Sequence, residues 1–167
     1  MSFFNTAKKR RSIRSFSSRH VEDYKIQKIL KAVMLSPSSM GRQNFRVYQV
    51  ASQNKKQNLI KATYGQGYVS SSLVLVFCSN PKRIKMMGTR GKNLFAVQDA
   101  TIAAAYAQLA ATELGLASVW IGHFDETKVA KIIGTKLRPV SIIPIGYANE
   151  KPKPKKSQKA KELFKKV

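Results

Sequence analysis

The chain has 167 residues, enough for one domain with a sizeable core, and its 43% hydrophobic and 23% charged residues exclude collagen-like, coiled-coil and wholly disordered classes. Thirty-one Lys and Arg stand against eight Asp and Glu, a net charge of +23 that brings an acidic partner or surrounding into consideration but says nothing about fold. One cysteine, Cys78, and two histidines exclude an internal disulfide and a Cys/His zinc site within one chain.

The start MSFFNTAKKRR places its positive charge after a short apolar patch and lacks the apolar core of a signal peptide. Residues 22–35 carry Ile26, Ile29, Leu30 and Val33 at helical spacing after an acidic start, and the pattern stops at Ser36-Pro37, which predicts a helix delivering a turn. Phe45 to Ala51 and Leu73 to Cys78 read as strands, with one helix between them. Residues 96–114 are dense in alanine and end at Gly115, so the longest and most buried helix is expected there. Gln98, Asp99, Gln108 and Glu113 interrupt that stretch and argue against a membrane span, and a cytoplasmic location is expected. Ser118 to Ile121 reads as a strand, Glu126 to Ile133 as a short helix opened by Asp125, and Val140 to Ile145 as a last strand. Helices and strands interleave without a regular βαβ period or an internal repeat, which favours an α+β sheet over a doubly wound one.

Several segments carry candidate chemistry. Arg10, Arg11 and Arg14 with Ser12 pack three guanidinium groups and a hydroxyl into five residues, a composition suited to bidentate phosphate contacts, although a solvated basic arm has the same composition. Residues 36–44 (SPSSMGRQN) crowd hydroxyl, amide and guanidinium donors into a loop after a helix. Ile121-Gly122 ends an apolar strand at a glycine, where backbone can approach a ligand. Gly65-Gln66-Gly67 lacks the third glycine and the preceding strand of a dinucleotide fingerprint. His123 and His20 read as structural and surface residues, and Cys78 as a core thiol.

Taken in order, RRSIRSF, SPSSMGRQNF, YGQ, DATIAAAYAQLAATELGLASVWIGHFDE and VSIIPIGYANEKPKPKK resemble the FMN-dependent nitroreductase family over nearly the whole chain, as a short member. The resemblance implies an α+β fold with a nitroreductase-like mixed β-sheet covered by helices, a long buried central helix, and a homodimer with two FMN sites at the subunit interface. It divides the chain into a flavin-binding domain, residues 1–150, and a basic Lys/Pro-rich extension, residues 151–167, contributing to FMN phosphate binding and dimer wrapping. Carried over by residue, the cofactor-binding set is Arg10, Arg11, Ser12, Arg14, Pro37, Ser38, Ser39, Gln43, Gln66, Ile121, Gly122, Lys155 and Lys156, with Pro37, Ser38 and Ser39 reaching the flavin of the other subunit. No catalytic side chain and no metal is implied. The implied activity is ping-pong hydride transfer from NADH or NADPH through FMN to a nitroaromatic, quinone or similar small-molecule acceptor.

Two departures stand out: the family usually has Asn where this chain has Gly41, and Pro-Trp where it has Asn44-Phe45. The connection from Ser79 to Leu94 is also short, which implies a more open site. A competing reading, a basic protein in weak nonspecific association with nucleic acid, rests on the charge, of which one phosphomonoester accounts for only about two units. No RNP-type aromatic motif or finger supports base reading. A third reading is a flavin-binding relative without turnover.

Overall fold

A computed structural model describes residues 2–152 and 163–166 of the chain. The elements in chain order are α1 (Phe3–Lys9), α2 (Asp23–Met34), β1 (Phe45–Gln49), α3 (Gln53–Ala62), β2 (Leu73–Ser79), α4 (Gly88–Arg90), α5 (Ala96–Glu113), β3 (Ala117–Ser118), α6 (Glu126–Ile133) and β4 (Arg138–Gly146). Every residue of β2 is buried, as its unbroken apolar run requires. The sheet order is β1-β2-β4-β3, so β2 and β4 are central, and all three ladders are antiparallel. A parallel bridge from Ser12 to Ser118 supplies the mixed character.

A strand buried on both faces needs a layer on each. Leu73, Leu75 and Phe77 face a core made with Ile29 and Val33 of α2 and Ala100, Ala103, Ala104, Ala107 and Ala111 of α5. Val74, Val76 and Cys78 face the opposite core, with Leu59 and Ala62 of α3 and Val129 of α6. The period of two along β2 thus assigns alternate side chains to two helical layers.

The expected strand over Ser118 to Ile121 is shorter than its sequence suggests. Pairing in β3 ends at Ser118, and Ile121 returns only as a bridge to Ile142. Between them Val119 N–H donates to the Pro144 carbonyl at 3.3 Å, but proline has no N–H to return the bond, so the ladder lapses opposite it. Helix α1 has no counterpart in the sequence reading, because its seven residues show no apolar stripe and Phe3 and Phe4 are exposed. It is held by the Ser2 cap on Asn5 N–H and by the buried Thr6, whose hydroxyl donates to Glu113 at the far end of α5.

Two ionisable sites are set by the packing. Burial of Cys78 in β2 pushes its thiol up to about 12, because the thiolate would lose its hydration in an apolar layer. At the start of α2, the Glu22 carboxylate accepts a 2.7 Å bond from the Tyr147 hydroxyl, and Arg19 lies 2.7 Å from Glu22 and 4.0 Å over the Tyr147 ring. The Tyr147 bond first, then a backbone N–H and Arg19, holds Glu22 down at about 2.

Cys78 is therefore expected to resist a disulfide reagent at pH 8 in the folded protein and to react stoichiometrically in denaturant; fast labelling of the native chain would contradict its burial. The folded-state pKa of Glu22 is depressed, so its stabilisation is complete above the ordinary carboxylate value and is lost as pH falls toward about 2. Chemical denaturation between pH 5 and 2 should show that loss in the wild type, and Tyr147→Phe should flatten it.

Candidate functional site

The arm from Arg10 to Ser17 lies between β3 and the run leaving β4. Ile13 is buried and its N–H donates to the Ser118 carbonyl at 3.1 Å, so the alternation of an extended chain turns Ser12 and Arg14 outward. On the other side Phe16 bridges Ala148, Ser17 N–H donates to the Tyr147 carbonyl at 2.9 Å, and Asn149 N–H donates to the Ser15 carbonyl at 2.9 Å. The Glu150 carboxylate continues this zipper, accepting from Arg14 N–H and from Ser15 N–H, the latter at 3.2 Å.

Arg11, Ser12, Arg14, Glu150, Lys151 and Pro152 enclose a cavity of about 320 Å³. Arg11 is held in place by donating to the Arg10 and Lys8 carbonyls, the first at 3.0 Å. Arg10 closes α1 through its N–H to the Thr6 carbonyl at 2.9 Å and does not line the cavity. Lys155 and Lys156 lie outside the described residues.

The loop after α2 is pinned to α5 by one buried carboxylate. Asp99, 2% exposed, accepts from Ser39 N–H at 3.0 Å, Asn44 N–H at 3.3 Å and the Asn44 side-chain amide at 2.7 Å. The Gln43 amide donates to the Met34 carbonyl at 2.7 Å and its backbone N–H to the Ser38 hydroxyl at 2.8 Å, so Gln43 closes its own loop, with φ at 48°. Asn44 is thereby a loop anchor whose N–H a proline could not supply. Pro37, Ser38 and Ser39 share a second cavity, about 490 Å³, with Val97, Gln98, Asp99, Thr101 and Ile102 of α5.

Gln66, Ile121 and Gly122 form a third group. The Gln66 amide donates to the Thr63 carbonyl at 2.8 Å and to the His123 carbonyl at 3.0 Å, while its oxygen accepts from the Tyr68 hydroxyl. Tyr64 stacks on His123 with ring centroids 4.6 Å apart. At Gly122 a Cβ would meet Trp120 Nε1 at 3.5 Å, an ordinary contact, so the chain's own packing does not require glycine there. Gly122 is four residues beyond Ser118, the partner of Ser12, which puts it within roughly 13 Å of the arm along an extended chain.

One chain does not unite these groups. The second cavity lies against the start of α5, whereas Arg11 and Ile13 meet Thr112, Gly115 and Leu116 at its end. At 1.5 Å per residue the two are roughly 20 Å apart. Two residues that shape these groups, Asp99 and Glu150, were given no site role by the sequence reading. Asp99 stood out only as a polar break in a run of small apolar residues, and Glu150 carries no local signal. Among the described residues no three His, Cys, Asp or Glu gather to hold a metal, and no helix is long and apolar enough to cross a membrane.

Comparison with known proteins gives the family. The chain is 32% identical over 148 residues to an Archaeoglobus fulgidus protein provisionally named NADH dehydrogenase/NAD(P)H nitroreductase, covering 84% of this chain and 82% of the relative. It is 33% identical over 125 residues to the FMN reductase [NAD(P)H] of Bacillus subtilis, covering 67% of this chain but only 50% of that longer protein. The crystal structure of a nitroreductase family protein from Clostridium difficile superposes with a TM-score of 0.88 at 28% identity, over 99% of this chain and 98% of that one. The family model described as the nitroreductase family matches residues 7–72 and 68–147, nearly all of the folded core, and the chain belongs to that family.

Proposed function

We propose that the chain is an FMN-dependent NAD(P)H oxidoreductase whose flavin phosphate binds in the cavity of Arg11, Ser12, Arg14 and Lys151. The observation that carries this reading is the donor set itself: two guanidinium groups, an ammonium and a hydroxyl border one small cavity, the chemistry a phosphomonoester dianion needs. A relative named for FMN reduction with NAD(P)H supports the cofactor and the electron donor. The residues fit FMN at a second point, since Gly122 leaves bare backbone beside a strand end without a packing reason of its own.

When bound, FMN supplies the hydride relay between a reduced nicotinamide and an acceptor. The chain's part is to hold and orient it: Arg14 and Lys151 neutralise the phosphate, and Ile121 fixes the backbone beside Gly122 through paired 3.0 Å bonds with Ile142. Gln66 holds the facing loop to the His123 carbonyl. No side chain is assigned proton transfer or covalent chemistry, and nitroaromatics and quinones are the acceptor classes this reading supports.

The site is proposed to be completed by a second copy. Gln98, Thr101, Ala105 and Tyr106 are exposed and Ile102 and Leu109 half-buried along one face of α5, a stripe at helical spacing that is apolar from Ile102 to Leu109. A two-fold axis across that stripe sets two α5 helices against each other, so that the Pro37–Ser39 loop of one chain nears the arm of the other. Residues 1–150 then form the flavin-binding domain, and residues 151–167 a basic extension that adds phosphate contacts.

Part of the remaining charge is spread over Lys8 and Lys9 on α1, Lys82 to Lys92 around α4, and Lys128, Lys131 and Arg138 at α6 and β4, and eight lysines lie close together in the sequence between positions 151 and 166. Charge of this kind without a base-reading motif supports weak, sequence-independent association with polyanions.

Fluorescence titration should show FMN binding in the wild type, and Arg14→Ala should weaken it about ten- to hundredfold, the loss of one charge-assisted bond. Reduced nicotinamide should bleach the bound flavin, and a quinone should restore it with parallel double-reciprocal lines; a protein that binds no flavin would refute the assignment. Sedimentation should give twice the 18.7 kDa chain mass. Ala105→Arg, a charge set into the proposed contact, should yield monomers that lose flavin, and a monomer retaining it would refute the shared site.

A further inference from the structure

We infer that Glu150 is a built-in anion of the phosphate cavity, one that holds down its affinity for a dianionic phosphate and so keeps the flavin exchangeable. The inference rests on the proposed flavin reading and adds to it a residue whose sign is opposite to the rest of the site. Its basis is geometric. Glu150 lines the same 320 Å³ cavity as Arg11, Ser12, Arg14 and Lys151. One oxygen, Oε1, accepts from two successive backbone N–H groups, those of Arg14 and Ser15. Successive N–H groups converging on one point form an anion-binding concavity, and here a carboxylate of the chain itself fills it.

The setting makes that carboxylate unusual. With eight acidic residues in the chain, the others with described bonds serve as anchors: Glu22 binds Tyr147 and Arg19, Asp99 holds a loop, Glu113 receives Thr6, Asp125 caps α6, and Glu126 pairs with Arg138. Glu150 instead shares its cavity with Arg11, Arg14 and Lys151, the cationic groups that border it among the described residues. Its negative charge offsets part of their field before any ligand arrives. An incoming phosphate dianion then meets a reduced net charge, two N–H donors already engaged, and a like charge at its border. A neutral ligand meets none of these penalties.

Glu150→Gln separates charge from tethering, because the amide oxygen still accepts from Arg14 and Ser15 N–H while the negative charge is gone. The residue is exposed, so the fold does not depend on it. FMN, riboflavin and inorganic phosphate are titrated into wild type and variant at low and moderate salt. The expected result is FMN affinity raised at least about tenfold in the variant, with a slower flavin off-rate, a steeper salt dependence and unchanged riboflavin affinity. FMN affinity unchanged or lowered overturns the inference, as does an equal gain for riboflavin. If neither protein binds FMN, the flavin assignment fails, and inorganic phosphate decides separately: tighter phosphate binding by the variant upholds the role of Glu150, and equal or absent binding overturns it.

Discussion

Burial of β2 on both faces is the constraint from which the rest of this structure follows. Seven successive residues without exposure leave no side of the central sheet for water, so helices must cover both. Each large aliphatic or aromatic side chain committed there contributes about 1.5–3 kcal/mol relative to exposure, and the alternation of β2 divides that gain between two layers. On one side the layer is α5, whose alanines let it approach the sheet closely. Position and length of α5 then decide where everything functional can lie.

Both ends of α5 are used. At its start Asp99 takes three N–H donors of the loop after α2, a buried carboxylate fully satisfied by the segment it positions. Near its end the chain turns through Gly115, with φ at 75°, into β3, against which the arm of Arg10 to Arg14 is laid. A rigid helix therefore keeps the two groups apart by a fixed distance instead of joining them. A composite site of both groups would therefore need a second copy, and one two-fold operation would join loop to arm twice, as proposed above.

The arm has a different logic from the core. Its cations would repel one another if they were simply gathered, and the structure answers with backbone pairing on both flanks, Ser118 on one side and Tyr147 to Asn149 on the other, with the Glu150 carboxylate beyond. The Glu22, Arg19, Lys25 and Tyr147 cluster anchors the far end of that zipper, with the Lys25 ammonium donating to the Tyr147 hydroxyl at 2.7 Å. Charges near the cavity are thus placed by backbone hydrogen bonds, by the Glu150 carboxylate and by one opposed cluster, and Arg14 and Lys151 remain exposed.

Much of this was legible in the sequence. Runs of apolar residues with period two or 3.6 are local in chain, so β1, β2, β4, α2, α5 and α6 could be placed, as could the caps at Asp125 and the turn at Ser36-Pro37. The arginine arm and the Pro37–Ser39 loop could be singled out by composition and by family resemblance. What the sequence could not reveal depends on partners far apart in it. The lapse of the strand after Ser118 comes from Pro144 across the sheet, 26 positions on, and α1 is held by Glu113, 107 positions beyond Thr6. The engagement of Gln43 and Gln66 with their own chain, the anchoring of a loop by Asp99 and the entry of Glu150 into an arginine-lined cavity 136 positions from Arg14 are of the same kind. Sequence determines which residues want burial and which carry charge; only the tertiary structure decides which charge meets which donor, because hydrogen bonds are short-ranged and chain separation carries no information about them.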